Sequence, residues 1–578
     1  MQTTLYTHDF AYIAPEIVLA AWGLVVLVVD FGFLRGRSGP ERRQTLGFLT
    51  LAGVVIALMA LQLPANLGPT DNTAEPTLFF GSIIGGRFAD GLNLMLLVLL
   101  ALVVGMSMAW EFTEHWGEYF ALLLWSAVGM MLLVAAEELL LLFLALEMMT
   151  ICLYLMAAFE KDKRRSAEGG LKYFVYGSVS SALFLFGLSL IYGITGTTRF
   201  DAILRALEPA RVAAPAGPVG LAGDVAGATA VILVLVGLGF KISAVPFHQW
   251  APDAYEGAPA PVTAWVATGS KIASFVALMK ILLHALGYWS NRNGAPLSPG
   301  WLGLVAVIAA ATMIYGNFAA LAQRNFKRML AYSSIAHAGY ILVGVLATAV
   351  VPPEQKADAA AAVVYYLVVY GFTTVGAFAV AAWLARDKGR DEIDDLNGLG
   401  AEHPWLSVAI ALLMLSLIGV PPLAGFFAKF SIFAQALNSP ETAEADGYRS
   451  MRLPLIWLVF IGLFTSVVSA FYYVRVLKAM FLRAPAKPLA GPARPTIWLP
   501  IGVATLVIVG FGVSAGRLLN YGQNIASSRA FSLDQFGYPG GRPSTEPMSE
   551  ELYKQMTKPP AGGGRGGSAP ARQGSPAS

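Results

Sequence analysis

The chain has 578 residues, of which 56% are hydrophobic and only 13% charged, with a formal net charge of +3. These proportions exclude an ordinary soluble protein of this length, which would divide into domains carrying far more surface charge. A single cysteine, Cys152, excludes an internal disulfide, a cysteine zinc site and an iron–sulfur cluster, since each needs several thiols.

Apolar runs of about 20 residues, the length that crosses a bilayer, recur through most of the chain. The opening "MQTTLYTHDFAYIAPEIVL" lacks a basic n-region and a small-residue cleavage site, so its first apolar run is expected to stay as a membrane helix. In chain order the predicted spans are 12–34, 44–63, 86–109, 117–135, 137–159, 167–194, 225–247, 259–286, 301–322, 328–349, 357–385, 404–436, 453–482 and 496–518. The fold class is therefore an all-α polytopic membrane protein with about 14 transmembrane helices. Lys and Arg cluster in the loops at 35–43, 161–165, 324–328, 386–390 and 483–494, and are sparse at 199–211, 292, 356 and 449–452. The positive-inside rule makes the first set cytoplasmic and both termini external. From about 530 the chain is rich in Gly, Pro and Ser, cannot bury a core, and reads as a disordered tail over 530–578.

Depth within a span separates bland charges from informative ones, because long cations near helix ends reach the interface. Lys280, Arg475 and Lys478 sit near enough to helix ends to be read as interfacial anchors. Lys172, about one and a half turns into its span, is left open. Five other groups fall near the midplane: Glu147, Lys241, Lys271, Lys429 and His337. Each alone has an ordinary explanation as a buried ion pair or a satisfied core histidine. Together, at one depth, they point to a polar path in the membrane plane of the kind that relays protons.

Pro246 in the seventh span and Pro421–Pro422 in the twelfth remove backbone donors and break those helices. At membrane depth such breaks are tolerated where protein or water satisfies the freed carbonyls. The two breaks are five spans apart, and five-helix units offset by an odd number of spans insert with opposite topology. Spans 4–8 and 9–13 are therefore expected to be inverted repeats. The domain division is 1–116, 117–300 (first repeat), 301–483 (second repeat), 484–529 and the tail 530–578.

The stretches "LFLALEMMTICLYLMAAF", "GLGFKISAVPFHQWAPDAYEGAPAPVTAWVATGSKIASF", "NFAALAQRNFKRMLAYSSIAHAGY" and "LSLIGVPPLAGFFAKF" resemble the antiporter-like membrane subunits of respiratory NADH–quinone oxidoreductase, complex I. The likeness runs in order over roughly residues 11–518 and is greatest to the subunit N branch. Subunit M usually carries a glutamate where this chain has Lys429, and subunit L has further C-terminal helices. The resemblance implies a proton-translocating translocase subunit in a bacterial plasma membrane, driven by quinone reduction elsewhere. Glu147, Lys241, Lys271 and Lys429 match the family's proton carriers on helices 5, 7, 8 and 12, and His337 matches a histidine on its hydrophilic axis. It also implies no cofactor on this chain, with FMN, iron–sulfur clusters and quinone in other subunits. Partners implied are the lipid bilayer and membrane subunits of the M, K and J types, and no nucleic acid. Gly169 and Gly170 depart from the family's commoner alanines. A subunit of a multisubunit cation/proton antiporter of the same ancestry is the alternative reading.

The physics of the Glu147–Lys241 pair allows a switch. Opposite charges about 4 Å apart interact by about 4 kcal/mol at an effective dielectric near 20. About 1.4 kcal/mol moves a titration by one unit, so a small separation of the pair is enough to release a proton.

Overall fold

A chain in hydrocarbon must satisfy its own backbone groups, and nearly all of the described chain does so as α-helix. The computed structural model describes residues 9–64, 77–109, 111–213, 218–290, 300–385, 390–438, 451–485 and 495–526. The tail 530–578 and the loop cations Arg292, Arg386, Lys388, Arg449, Lys487 and Arg494 lie outside the described residues.

The first helices are α1 (Ala14–Val29, prolonged by a π-helical turn to Leu34), α2 (Gly39–Ala60) and α3 (Arg87–Ser107). A small hairpin, β1 (Thr77–Leu78) with β2 (Ile83–Ile84), precedes α3. Next come α4 (Trp116–Ala135), α5 (Leu139–Ala157), α6 (Arg164–Thr195), the amphipathic α7 (Phe200–Ala213), α8 (Pro218–Lys241) and the short α9 (Trp250–Gly257). A composite helix, α10, runs over Ala260–Ala285 with π-helical turns at Val266–Ser270 and Ile281–Ala285. Then follow α11 (Trp301–Leu321), α12 (Phe326–Val350), α13 (Pro353–Ala385), α14 (Pro404–Ile418), α15 (Ala424–Leu437), α16 (Arg452–Leu482), α17 (Pro495–Val513) and α18 (Ala515–Ala526).

Among the described residues, 12 helices are long and apolar enough to cross a membrane, and they fall on twelve of the predicted spans. The other two spans differ from expectation. The seventh was expected as one helix over 225–247, but α8 ends at Lys241 and the chain turns before α9. Ser243 takes up a left-handed conformation there (φ 60°), and Val245–Pro246 is cis. The twelfth is divided between α14 and α15, with left-handed Gly419 (φ 92°) and a cis Pro421–Pro422 bond between them. Proline removes a helical donor in both places.

The same contacts occur twice. A Cβ on Gly129 of α4 would lie 2.5 Å from the Met149 nitrogen and 2.9 Å from the Ala145 oxygen of α5. A Cβ on Gly316 of α11 would lie 2.6 Å from the Ala336 nitrogen and 3.0 Å from the Tyr332 oxygen of α12. All three positions are displaced by one common offset. The links after α4 and α11 are pinned alike. Leu139 N–H donates to Thr198 O (2.9 Å) and Phe200 N–H to Glu137 O (3.1 Å). Likewise Phe326 N–H donates to Asp391 O (2.7 Å) and Ile393 N–H to Arg324 O (3.0 Å); Phe326 and Arg324 stand at the common offset from Leu139 and Glu137, while Asp391 and Ile393 lie six residues beyond it.

A third recurrence corrects the reading of Lys280 as an interfacial anchor. Lys280 is fully buried, and its Nζ donates to Val134 O (2.8 Å) and Ala136 O (2.9 Å) at the end of α4. It also pairs with Glu137 at 2.8 Å. Arg475 of α16 donates in the same manner to Leu321 O (3.1 Å) and to Gln323 O at the end of α11. The last carbonyls of a helix lack intrahelical donors and carry its negative pole, so a cation is favoured there. Lys172 also finds partners, lying 2.7 Å from Asp253 and 2.7 Å from Glu168. Gly169, one of the departures from alanine, lets α6 close onto α9, since a Cβ there would meet Asp253 O at 2.7 Å.

Neither backbone can retreat at the Gly129 and Gly316 crossings, because each helix is held by its own hydrogen bonds. Gly129→Val and Gly316→Val are expected to lower stability by about 1–3 kcal/mol through overpacking, read as a lower thermal transition of the purified protein. Gly502→Ala, with nothing within 4 Å of its Cβ position, should leave that transition unchanged.

Candidate functional site

Two of the predicted midplane lysines, Lys241 and Lys429, sit beside the two helix breaks. Lys241 is the last residue of α8 and is 3% exposed. Its Nζ donates to the Tyr154 hydroxyl of α5 at 3.2 Å and lies 5.1 Å from the centroids of the Tyr154 and Phe240 rings. Tyr173 stacks on Trp250 at 4.1 Å between centroids and closes this aromatic wall from α6 and α9. Trp250 Nε1 caps the broken end of α8 by donating to Phe240 O at 3.0 Å.

Glu147 sits on α5 and makes no ion pair with Lys241 within 4.0 Å. Its Oε1 accepts from the Ser181 hydroxyl of α6 at 2.5 Å. Glu147 is half-buried, on a face of α5 where Leu140, Leu144, Ile151 and Leu155 are each more than half exposed.

Lys271 follows directly on a π-helical turn of α10 and is 1% exposed. Its Nζ donates to Ser334 O (2.8 Å) and Ser334 Oγ (2.5 Å) on α12. The Tyr370 hydroxyl of α13 donates to the same Ser334 Oγ at 2.7 Å. One turn on, His337 sits between two tyrosines, with Nδ1 2.7 Å from the Tyr366 hydroxyl and Nε2 3.4 Å from that of Tyr473. Ser333 completes the link by hydrogen bonding to Tyr473.

Lys429 occupies the start of α15, just past the second break. Its Nζ donates to Leu417 O (3.1 Å) and Ile418 O (2.8 Å), the carbonyls freed where α14 ends, and to Ser466 Oγ (2.7 Å). It lies 4.9 Å from the centroid of the Tyr340 ring. A cavity of about 10 Å³, room for about one water, touches His337, Tyr366 and Tyr370 on one side and Ser416, Leu417 and Gly425 at the break on the other.

The five groups that the sequence reading put near the midplane therefore lie where hydroxyls, ring faces and free carbonyls collect. Lys241, Lys271 and Lys429 have no carboxylate within 4.0 Å among the described residues. Direct contact joins Lys271 to the Ser334–Tyr370 group, while Lys241 and Lys429 stand apart from it. Sequence reasoning did not pick out Tyr154, Ser181, Ser334, Tyr366, Tyr370, Tyr473 and Ser466, which supply most of the ligation. Serine and tyrosine are common in membrane helices, and nothing in their local sequence separates these from others. Among the described residues no group of three or more His, Cys, Asp or Glu is placed to hold a metal ion.

Comparison with known proteins bears on this arrangement. The family model described as "NADH:quinone oxidoreductase/Mrp antiporter, TM" matches residues 136–443. NADH-quinone oxidoreductase subunit N of Rhodospirillum rubrum is 38% identical over 506 residues, covering 86% of this chain and 93% of its own. A chain of respiratory complex I from Thermus thermophilus with bound aureothin superposes with a TM-score of 0.67 at 32% identity, covering 88% of this chain and 98% of that one. A chain of the Mrp complex from Dietzia shares the fold, with a TM-score of 0.68 at 19% identity, covering 89% of this chain and 97% of that one. The breaks, the buried lysines and these likenesses agree: the chain belongs to the NADH:quinone oxidoreductase and Mrp antiporter membrane-subunit family, in its subunit N branch.

Proposed function

We propose that this chain is a proton-translocating membrane subunit of an NADH–quinone oxidoreductase, moving protons through a midplane relay of Glu147, Lys241, Lys271, His337 and Lys429. The observation that carries this reading is that three lysines of this apolar helical chain are buried on neutral oxygens and ring faces alone. A charged lysine at the bilayer centre costs about 2.5–3.5 kcal/mol on insertion scales. Without a fixed counter-ion, each lysine is a group whose charge a neighbour can change.

In this reading Glu147 sets the charge of Lys241 by approaching or leaving it. Lys271 exchanges its proton with the Ser334–Tyr370–His337 group. Water in the cavity beside His337 carries it toward Lys429, where the break of α14 from α15 opens a polar route out. α8 with α9, and α14 with α15, are the two broken membrane helices, which brings the number of crossings to fourteen. Spans 4–8 and 9–13 form inverted repeats, a reading supported by the recurring glycine crossings, link hydrogen bonds and capping cations. Both termini then face outside, in a bacterial inner membrane, and the domain division is that of the repeats.

Partners follow from Glu147. A half-buried carboxylate on an apolar, exposed face of α5 is costly against lipid, so neighbouring membrane subunits are placed over that face. Their identification as the M, K and J types, with the electron-carrying groups in still other subunits, rests on the family. The Mrp half of the family description keeps a second reading open, a subunit of a multisubunit cation/proton antiporter.

Two experiments test this. In the intact complex reconstituted into vesicles, Lys271→Ala and Lys429→Ala are each expected to lower NADH-driven proton translocation about tenfold or more, as loss of a proton-transfer group does. Unchanged pumping in an assembled complex would contradict the relay. Co-purification from native membranes is expected to return flavin- and iron–sulfur-containing subunits with NADH–quinone activity. Recovery with antiporter subunits and sodium-dependent proton exchange would favour the second reading.

A further inference from the structure

Lys280 and Arg475 do the same structural job, each tying the last long helix of a repeat to the end of its first. That shared job is a control for what else surrounds them. Glu137 and Arg324 are matching positions, since each carbonyl accepts the equivalent link hydrogen bond, from Phe200 and from Ile393. The first repeat therefore has a glutamate beside its cation at the position where the second repeat has an exposed arginine. Four residues after Lys280 comes His284, whereas four after Arg475 comes Ala479, which is apolar and buried. Capping needs neither acid nor imidazole, because the second repeat caps without them.

The surroundings add a route to solvent. A cavity of about 40 Å³, room for roughly two or three waters, lies against Glu137 and His284 and is also lined by Thr77, Gly81, Arg199 and Asp201. His284 is on the π-helical turn Ile281–Ala285, a distortion often found at functional sites. Glu137, Lys280 and Lys356 are the charged groups that act on His284. Burial raises the Asp201 carboxyl, but Arg199 and Arg205 beside it hold it below its ordinary value. These residues lie in links and helix ends that the alternation of spans puts on the outer side.

We propose that Glu137, with His284 and Lys280, is a proton-exchange site through which the first repeat reaches the outer face directly, without passing through Lys429. The inference rests on the proton-translocating reading. In the exchange the Glu137 carboxyl gives its proton to cavity water and is left as a carboxylate paired with Lys280; uptake is the reverse. Inward, Lys271 lies about 13 Å along the same helix. Between them is Ser274, whose buried Oγ has no hydrogen-bond partner among the described residues.

The test compares Glu137→Gln, Glu137→Asp and Lys271→Ala in the whole reconstituted complex, measuring proton translocation together with NADH oxidation. Glu137→Gln is expected to cut pumping about tenfold or more, and Glu137→Asp, which keeps a titrating carboxyl, to restore most of it. Normal pumping by Glu137→Gln beside a defective Lys271→Ala overturns this inference and leaves the midplane relay standing. Normal pumping by both overturns the relay and this inference with it. Should Glu137→Gln fail to assemble, His284→Asn is the second variant: the same loss supports the site, and normal pumping overturns it.

Discussion

A lysine ammonium has three hydrogens to place, and in hydrocarbon it must place them on the protein. That constraint shapes the interior of this chain. Lys429 uses the carbonyls of Leu417 and Ile418, which are available only because α14 stops there. Lys271 uses a backbone carbonyl and a hydroxyl of one residue, Ser334, on the neighbouring helix. Lys241 sits at the end of α8 against a phenol and two ring faces. Each lysine is satisfied well enough to fold and too weakly to be fixed as a permanent ion pair. The helix breaks, the hydroxyl-bearing α12 and α13, and the aromatic wall around Trp250 are what this solution requires.

The recurrence of contacts gives a way to tell structure from chemistry within one chain. What both halves share is bracing: glycine crossings between the first two helices, a pinned link, and a cation on the last carbonyls of the first helix. What they do not share is where the titratable groups lie. Glu147 and Ser334 occupy positions related by the common offset, and one holds a carboxylate where the other hands a hydroxyl to Lys271. Glu137 and Arg324 differ in the same way. In this account the scaffold was built twice and its titratable groups were then placed differently in each copy.

Much of this was readable from residues alone, for physical reasons. Twelve long spans follow from the bilayer length; Glu147, Lys271 and His337 lie on three of them, whereas Lys241 and Lys429 lie on the shorter helices beside the breaks. Pro246 and Pro421–Pro422 marked the breaks, though not that α8 would stop at Lys241 itself. Lys280 was misjudged because distance to a helix end looked decisive; the carbonyls of α4 that claim it are more than a hundred residues away in sequence. The hydroxyl partners were invisible for a similar reason. Ser334 and Tyr370 become a lysine site only when α10, α12 and α13 meet, and no local pattern records that meeting.

The central claim is that the buried lysines change charge during turnover, and redox-induced infrared difference spectroscopy on the intact complex tests it most directly. With lysine labelled by nitrogen-15, the account predicts isotope-sensitive ammonium bands that appear on quinone reduction and lose intensity in Lys271→Met. A difference spectrum without isotope-sensitive lysine bands, in a complex that still pumps protons, would contradict it.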